Sequence, residues 1–158
     1  MPVLAFASAD AVTDGALDGL LARGFSLSVA RETARRLSTE AEDGSPELIL
    51  ISARAHAQAR SWNAVRRLLR DRPWLDAEGD GSGRLLLARA RLALGDPDGA
   101  ISDFESAGVE RLSTADRVEY ARALAAADRA QDAARQYDAA AAADRELADW
   151  LRLSAVQA

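Results

Sequence analysis

The chain has 158 residues, enough for one domain with its own core, and a formal net charge of −5 at pH 7. That sign argues against a nucleic-acid partner, since holding phosphate needs a positive field. The absence of cysteine excludes disulfides, thiolate metal sites and cysteine nucleophiles. Alanine (37) and leucine (21), against seven valines and three isoleucines, favour helix over sheet. Aromatics are only 5%, so the helices must meet closely through small side chains. All 20 basic residues are arginine, which fits GC-rich coding. No apolar run reaches membrane-spanning length, so no transmembrane segment is expected.

In chain order, residues 1–11 (MPVLAFASADA) read as an N-terminal tail, either the flank of a removed signal peptide or a frayed end. Exported (periplasmic) and cytoplasmic locations both stay open. Punctuation divides residues 12–158 into nine helical segments. Thr13–Arg23 ends at Gly24, and Ser26–Glu42 ends at Gly44. Ser45-Pro46-Glu47 opens the third with a capping serine, a first-turn proline and a carboxylate at the positive end of the helix dipole. Ser61 caps the fourth, which stops before Pro73. Asp76–Gly83 (DAEGDGSG) reads as a solvated linker; its acids lack calcium-loop spacing. Arg84–Leu94 ends at Gly95, and Asp96-Pro97-Asp98 opens a helix that closes at Gly108. Thr114–Ala127, Asp132–Ala143 and Glu146–Ala158 complete the series.

Two of these stretches superimpose. Gly95–Ala107 falls on Asp128–Ala140, 33 residues later, with small, aromatic and small residues at Ala100, Phe104, Ala107 and Ala133, Tyr137, Ala140. A period near 34 is that of helix–turn–helix solenoids. The small residue opening each second helix is expected at Ala30, Ala64, Ala100 and Ala133, at intervals of 34, 36 and 33. Matching apolar sites in the first helices are Leu17, Ile51, Leu87 and Tyr120. The units run about 12–44, 45–80, 81–113 and 114–146, with a partial fifth at 147–158.

These residues resemble the tetratricopeptide repeat family. Leu87-Ala88, Gly95-Asp96, Ala100-Ile101, Phe104 and Ala107 carry the match best; the first unit departs from it at Asp18. The resemblance implies an all-α, right-handed α-solenoid of four helical hairpins with a C-terminal helix, binding ligands on the concave face of successive first helices. The family's groove positions fall on His56, Ile49 and Ala53, then on Leu85, Arg89 and Leu92. In the fourth unit they are Val118, Arg122 and Ala125. Arg89 and Arg122, 33 residues apart, are expected to stack across the groove, where they suit carboxylates or backbone carbonyls, or else to bridge to Glu119 or neighbouring acids. One subgroup of the family grips C-terminal carboxylates with lysine and asparagine. This chain has no lysine and its single asparagine, Asn63, lies outside the groove, so that role is not expected.

No catalytic constellation is visible. His56 is the only histidine, so no metal site or cofactor is expected, and the paired carboxylates (Glu40/Glu42, Asp76/Glu78, Asp96/Asp98) read as helix-start and solvated acids. The arginines from Arg54 to Arg72, with Arg66 and Arg70 on one helix face, read first as a solvated outer face and second as a patch for an acidic partner or membrane headgroups. The chain is therefore expected to be a non-catalytic scaffold taking a protein or peptide partner in its groove. Leu147–Leu153 also resembles the helical superhelix that precedes the catalytic domain of bacterial soluble lytic transglycosylases, which implies an accessory region of a larger bacterial cell-wall enzyme. A third reading is self-assembly: Trp150, Leu151 and Leu153 open an unfinished unit and need cover from a partner copy or a continuation.

Overall fold

The structure is a computed structural model that describes residues 13–39, 44–77 and 81–143. Eight α-helices make up the described residues: α1 Asp14–Ala22, α2 Ser26–Leu37, α3 Pro46–Gln58, α4 Trp62–Leu69, α5 Ser82–Ala93, α6 Pro97–Ala107, α7 Thr114–Ala126 and α8 Ala130–Ala143. Short 3₁₀ turns at Pro73–Asp76 and Val109–Arg111 precede α5 and α7, and no strand occurs among the described residues. The segment expected at Glu146–Ala158, including Trp150, Leu151 and Leu153, lies outside them, as do residues 1–11, Glu40, Glu42 and Glu78.

Local chemistry explains the helix starts. The Ser45 hydroxyl accepts from the Leu48 amide at 3.1 Å, and the Asp96 carboxylate from the Gly99 amide at 3.0 Å, each followed by proline in the first turn. Thr13 and Ser113 cap α1 and α7 in the same way. Ser61 does not: it occupies the capping position of α4 but its side chain accepts nothing from the helix.

The turn inside each hairpin recurs. Gly24, Arg60, Gly95 and Asp128 all adopt positive φ (85°, 54°, 78° and 58°), at intervals of 36, 35 and 33 residues. The amide that follows reaches back five residues in every case: Phe25 to Leu20 (3.1 Å), Ser61 to His56 (2.8 Å), Asp96 to Arg91 (2.9 Å) and Arg129 to Leu124 (2.9 Å). One left-handed residue thereby closes each first helix and reverses the chain.

These turns set the phase of the second helices, and at α4 it differs from the sequence expectation. Five residues past each turn stand Val29, Val65, Ala100 and Ala133, all at most 3% exposed. Ala64 is only half-buried; Val65 takes the inward position expected of it, and Leu69, one turn on, is fully buried as well. The first-helix residues Leu17, Ile51, Leu87 and Tyr120 are all buried. Nine residues past the turn, Phe104 is fully buried against α7, whereas Tyr137, on the last described helix, is half-buried.

The core is serial. Leu17, Val29, Leu48 and Ile51 form one cluster among α1, α2 and α3. Ile49, Ala53, Val65, Leu69 and Leu87 form the next among α3, α4 and α5. Ala88, Phe104, Tyr120, Leu124 and Ala133 form the third, from α5 to α8. Helices α3 and α5 thus bury two faces each. Each helix packs on its neighbours in sequence, and α1 on α3, α3 on α5 and α5 on α7 as well. Helix α1 leans more on α3 than on α2, and exposed Asp18 faces Arg54 of α3 at 3.7 Å.

Gly83 corrects the linker reading. It is buried inside α5, where a Cβ would stand 2.5 Å from Leu75 Cδ2 and 3.0 Å from Leu50 Cδ2. Here glycine admits close packing rather than marking a break.

Candidate functional site

The ends of α3, α5 and α7 border an open cavity of about 810 Å³. Ala57 and Gln58 of α3, Arg89, Leu92 and Ala93 of α5, and Glu119, Arg122, Ala125 and Ala126 of α7 line it. Arg60 from the α3–α4 turn, Trp62 from α4, Ala115 from α7 and Tyr137 from α8 complete the wall. Small alanine side chains leave the floor low, so the arginines and aromatics provide its relief.

Arg89 and Arg122 line this one cavity, but each already holds an acid of α7. Arg89 Nη2 donates to Asp116 Oδ1 at 2.5 Å, and Asp116 is buried at 6% exposure. Asp116 also accepts from the Ser113 hydroxyl at 2.5 Å, so the Arg89 guanidinium is fixed from behind. Arg122 is far more open, at 62% side-chain exposure, and pairs with Glu119 at 3.0 Å. Bridging to neighbouring acids, the second of the two sequence expectations, describes both side chains in this structure. A pair as exposed as Arg122–Glu119 is worth little, at most about 1 kcal/mol.

The remaining sequence candidates disperse. Leu92 and Ala125 line the cavity, whereas His56, Leu85 and Val118 are half-buried and do not. Burial pushes the His56 imidazole pKa down from its ordinary 6.5, and nearby Arg67 lowers it further. Leu85 packs against the third core cluster. Ile49 and Ala53 are at most 1% exposed and cannot meet a ligand, because α3 buries a second face against α5. Of the outer arginines, Arg70 is exposed and bonded to Asp71 at 2.9 Å, and Arg66 is half-buried on α4.

Sequence reasoning did not single out Arg60, Trp62 or Tyr137 as wall residues. Arg60 had a signal: it stands 36 residues after Gly24 and 35 before Gly95, close to the expected period. It also missed the one deeply buried acid away from the cavity. Asp103 of α6, 2% exposed, pairs with Arg84 at 3.0 Å and Arg91 at 3.3 Å, both from α5. Burial pushes its carboxyl pKa up while the two guanidiniums pull against that. Its position between α5 and α6 makes it a staple of that hairpin.

No three His, Asp or Glu side chains converge as metal ligands among the described residues, and no described helix is long and apolar enough to cross a membrane. Comparison with family models, with curated proteins and with solved structures found no match to this chain.

Proposed function

We propose that this chain is a non-catalytic interaction scaffold, a right-handed stack of four tetratricopeptide-like hairpins that binds an extended segment of a partner protein. The observation that carries this reading is the recurrence of one left-handed turn, with one back-reaching hydrogen bond, at Gly24, Arg60, Gly95 and Asp128. Repeated turns of one geometry give repeated hairpins, and stacking them lays successive first helices side by side. A cavity lined by residues of α3, α5 and α7, the helices that such a stack would set side by side, supports the reading. A mixed wall of aliphatic, aromatic and guanidinium groups suits a polypeptide better than a small polar substrate.

The test is selection of displayed peptides on the purified chain, followed by amide-shift mapping of the winners. Shifts at Leu92, Ala93, Ala125 and Ala126, with none at Arg66 and Arg70, are expected. Peptides that map to α4's outer face, or a chain that selects none, would reject the reading. Replacing Arg89 is not a clean probe, because Glu in its place would face the buried Asp116 carboxylate.

A further inference from the structure

Resting on that groove reading, we propose that Arg60 and Arg122 together take a carboxylate side chain of an acidic partner segment, with Arg60 the dedicated anion-binding residue. Two independent features of Arg60 point there. Its backbone sits at φ 54°, in the left-handed region, at the turn position filled elsewhere by Gly24, Gly95 and Asp128. A non-glycine residue carries some backbone strain there, and at Arg60 the side chain kept at that expense stands on the cavity wall, whereas Asp128 does not line it. Its guanidinium, unlike those of Arg89 and Arg122, has no ion-pair partner among the described residues, although it lines the same cavity.

The charges in the groove fit an acidic occupant. Three guanidiniums (Arg60, Arg89 and Arg122) face two carboxylates (Glu119 and Asp116), so the site is locally positive on a chain of net charge −5. Arg89 is committed to Asp116 and acts as a positioning residue. Arg122 is held only by the exposed pair with Glu119, which an incoming carboxylate can share. Trp62 and Tyr137 on the same wall offer faces for an apolar side chain next to the acidic one. The negative charge of the whole chain disfavours the other polyanion, a nucleic acid.

The probe is a short fluorescent peptide of alternating Glu and Ala with one central Leu, compared with its Gln and Lys counterparts and with oligo(dT). The Glu peptide should bind best, and its affinity should fall as salt is added. Arg60→Gly should weaken it about tenfold or more, the scale of one charge-assisted hydrogen bond. That substitution removes the strain, so the melting temperature should stay level or rise; a merely structural role for Arg60 would lower it. Arg122→Gln should also weaken binding, and Arg67→Ala, on the exposed side of α4, should leave it unchanged. Equal binding of the Gln peptide with Arg60→Gly silent would overturn this proposal while leaving the groove reading standing. Tighter binding of oligo(dT) would overturn the partner class, and failure of every peptide would overturn both readings.

Discussion

Phe104 and Tyr137 hold the same position nine residues past their turns, so truncating each to alanine weighs the third core cluster against the last described helix. Phe104 is 0% exposed and its ring lies 5.6 Å from that of Tyr120. Phe104→Ala therefore loses the full transfer term, the ring pair and the packing around a cavity, about 3–5 kcal/mol. Against a total of about 5–15 kcal/mol that is a large share. At about 2–4 °C per kcal/mol for a chain of this size, the melting temperature should fall by about 6–20 °C. Half-buried Tyr137 should cost about 1–2 kcal/mol when truncated, in proportion to the area it keeps from water. Because the core is serial, amide exchange should show where the loss falls. Phe104→Ala should strip protection from α5 to α8 while amides of α1 to α3 keep most of theirs. Equal costs for the two truncations, or a uniform loss of protection from α1 to α8, would refute the reasoning.

Gly83→Ala should destabilise by about 1 kcal/mol in urea titration, an overpacking cost of about 1–3 kcal/mol less the roughly 1 kcal/mol by which alanine outdoes glycine in a helix. Gly15→Ala in α1 should stabilise by about 0.5–1 kcal/mol, since a Cβ there meets nothing within 4 Å. Glu32, bonded to Arg35 and Arg36, has its carboxyl pKa lowered from 4.5 to about 2. A lowered carboxyl pKa adds stability above the unfolded value that is lost as pH falls through the folded one, so this share should fade between about 4.5 and 2. Melting curves of Glu32→Gln should lack that part of the acid limb, at most about 1 kcal/mol for so exposed a network. Asp103→Asn should cost about 1–3 kcal/mol by chemical denaturation, because Arg84 and Arg91 lose a charged partner while Arg84 keeps Asp76 and Arg91 keeps Asp96.

Helix starts were legible in the sequence because their chemistry is local. Ser45-Pro46 and Asp96-Pro97 state the cap and the first-turn φ within two residues, and the structure forms both caps. The phase of the second helices was less legible. Choosing the smallest residue gave Ala30, which is buried beside Val29, but also Ala64, which is only half-buried; the turn dictates which residue points inward, and Val65 stands five residues past it. Turns carried by Arg60 and Asp128 are hidden from a rule that looks for glycine. Gly83 misled for the converse reason: its helical environment depends on Leu50 and Leu75, which are distant in sequence. At the candidate site, repeat spacing brought Arg89 and Arg122 to one cavity, while the commitment of Arg89 to Asp116 depends on the burial of that acid at the start of α7. Burial of a charge is a tertiary property that periodicity does not report.

An alanine-rich stack also poses a specificity problem that its arginines answer. Two alanine faces can slide past each other with little change in buried area, so apolar packing alone fixes the register of neighbouring helices weakly. In this chain cross-helix polar contacts tie α5 to α6, α5 to α7 and α7 to α8. Arg84 and Arg91 of α5 converge on Asp103 of α6, Arg89 of α5 holds Asp116 of α7, and Arg117 of α7 reaches Gln136 of α8 at 2.9 Å. A guanidinium fork binds a carboxylate only within a narrow range of distance and angle, so a helix displaced by one residue loses the pair. Such pairs add little net stability once desolvation is counted, yet a slipped register would leave buried Asp103 without a cation. The penalty falls on the wrong arrangement rather than rewarding the right one. Arg60 stands outside this scheme: among the described residues it has no ion-pair partner, whereas Arg89 holds Asp116 across helices and Arg122 pairs with Glu119 on its own helix.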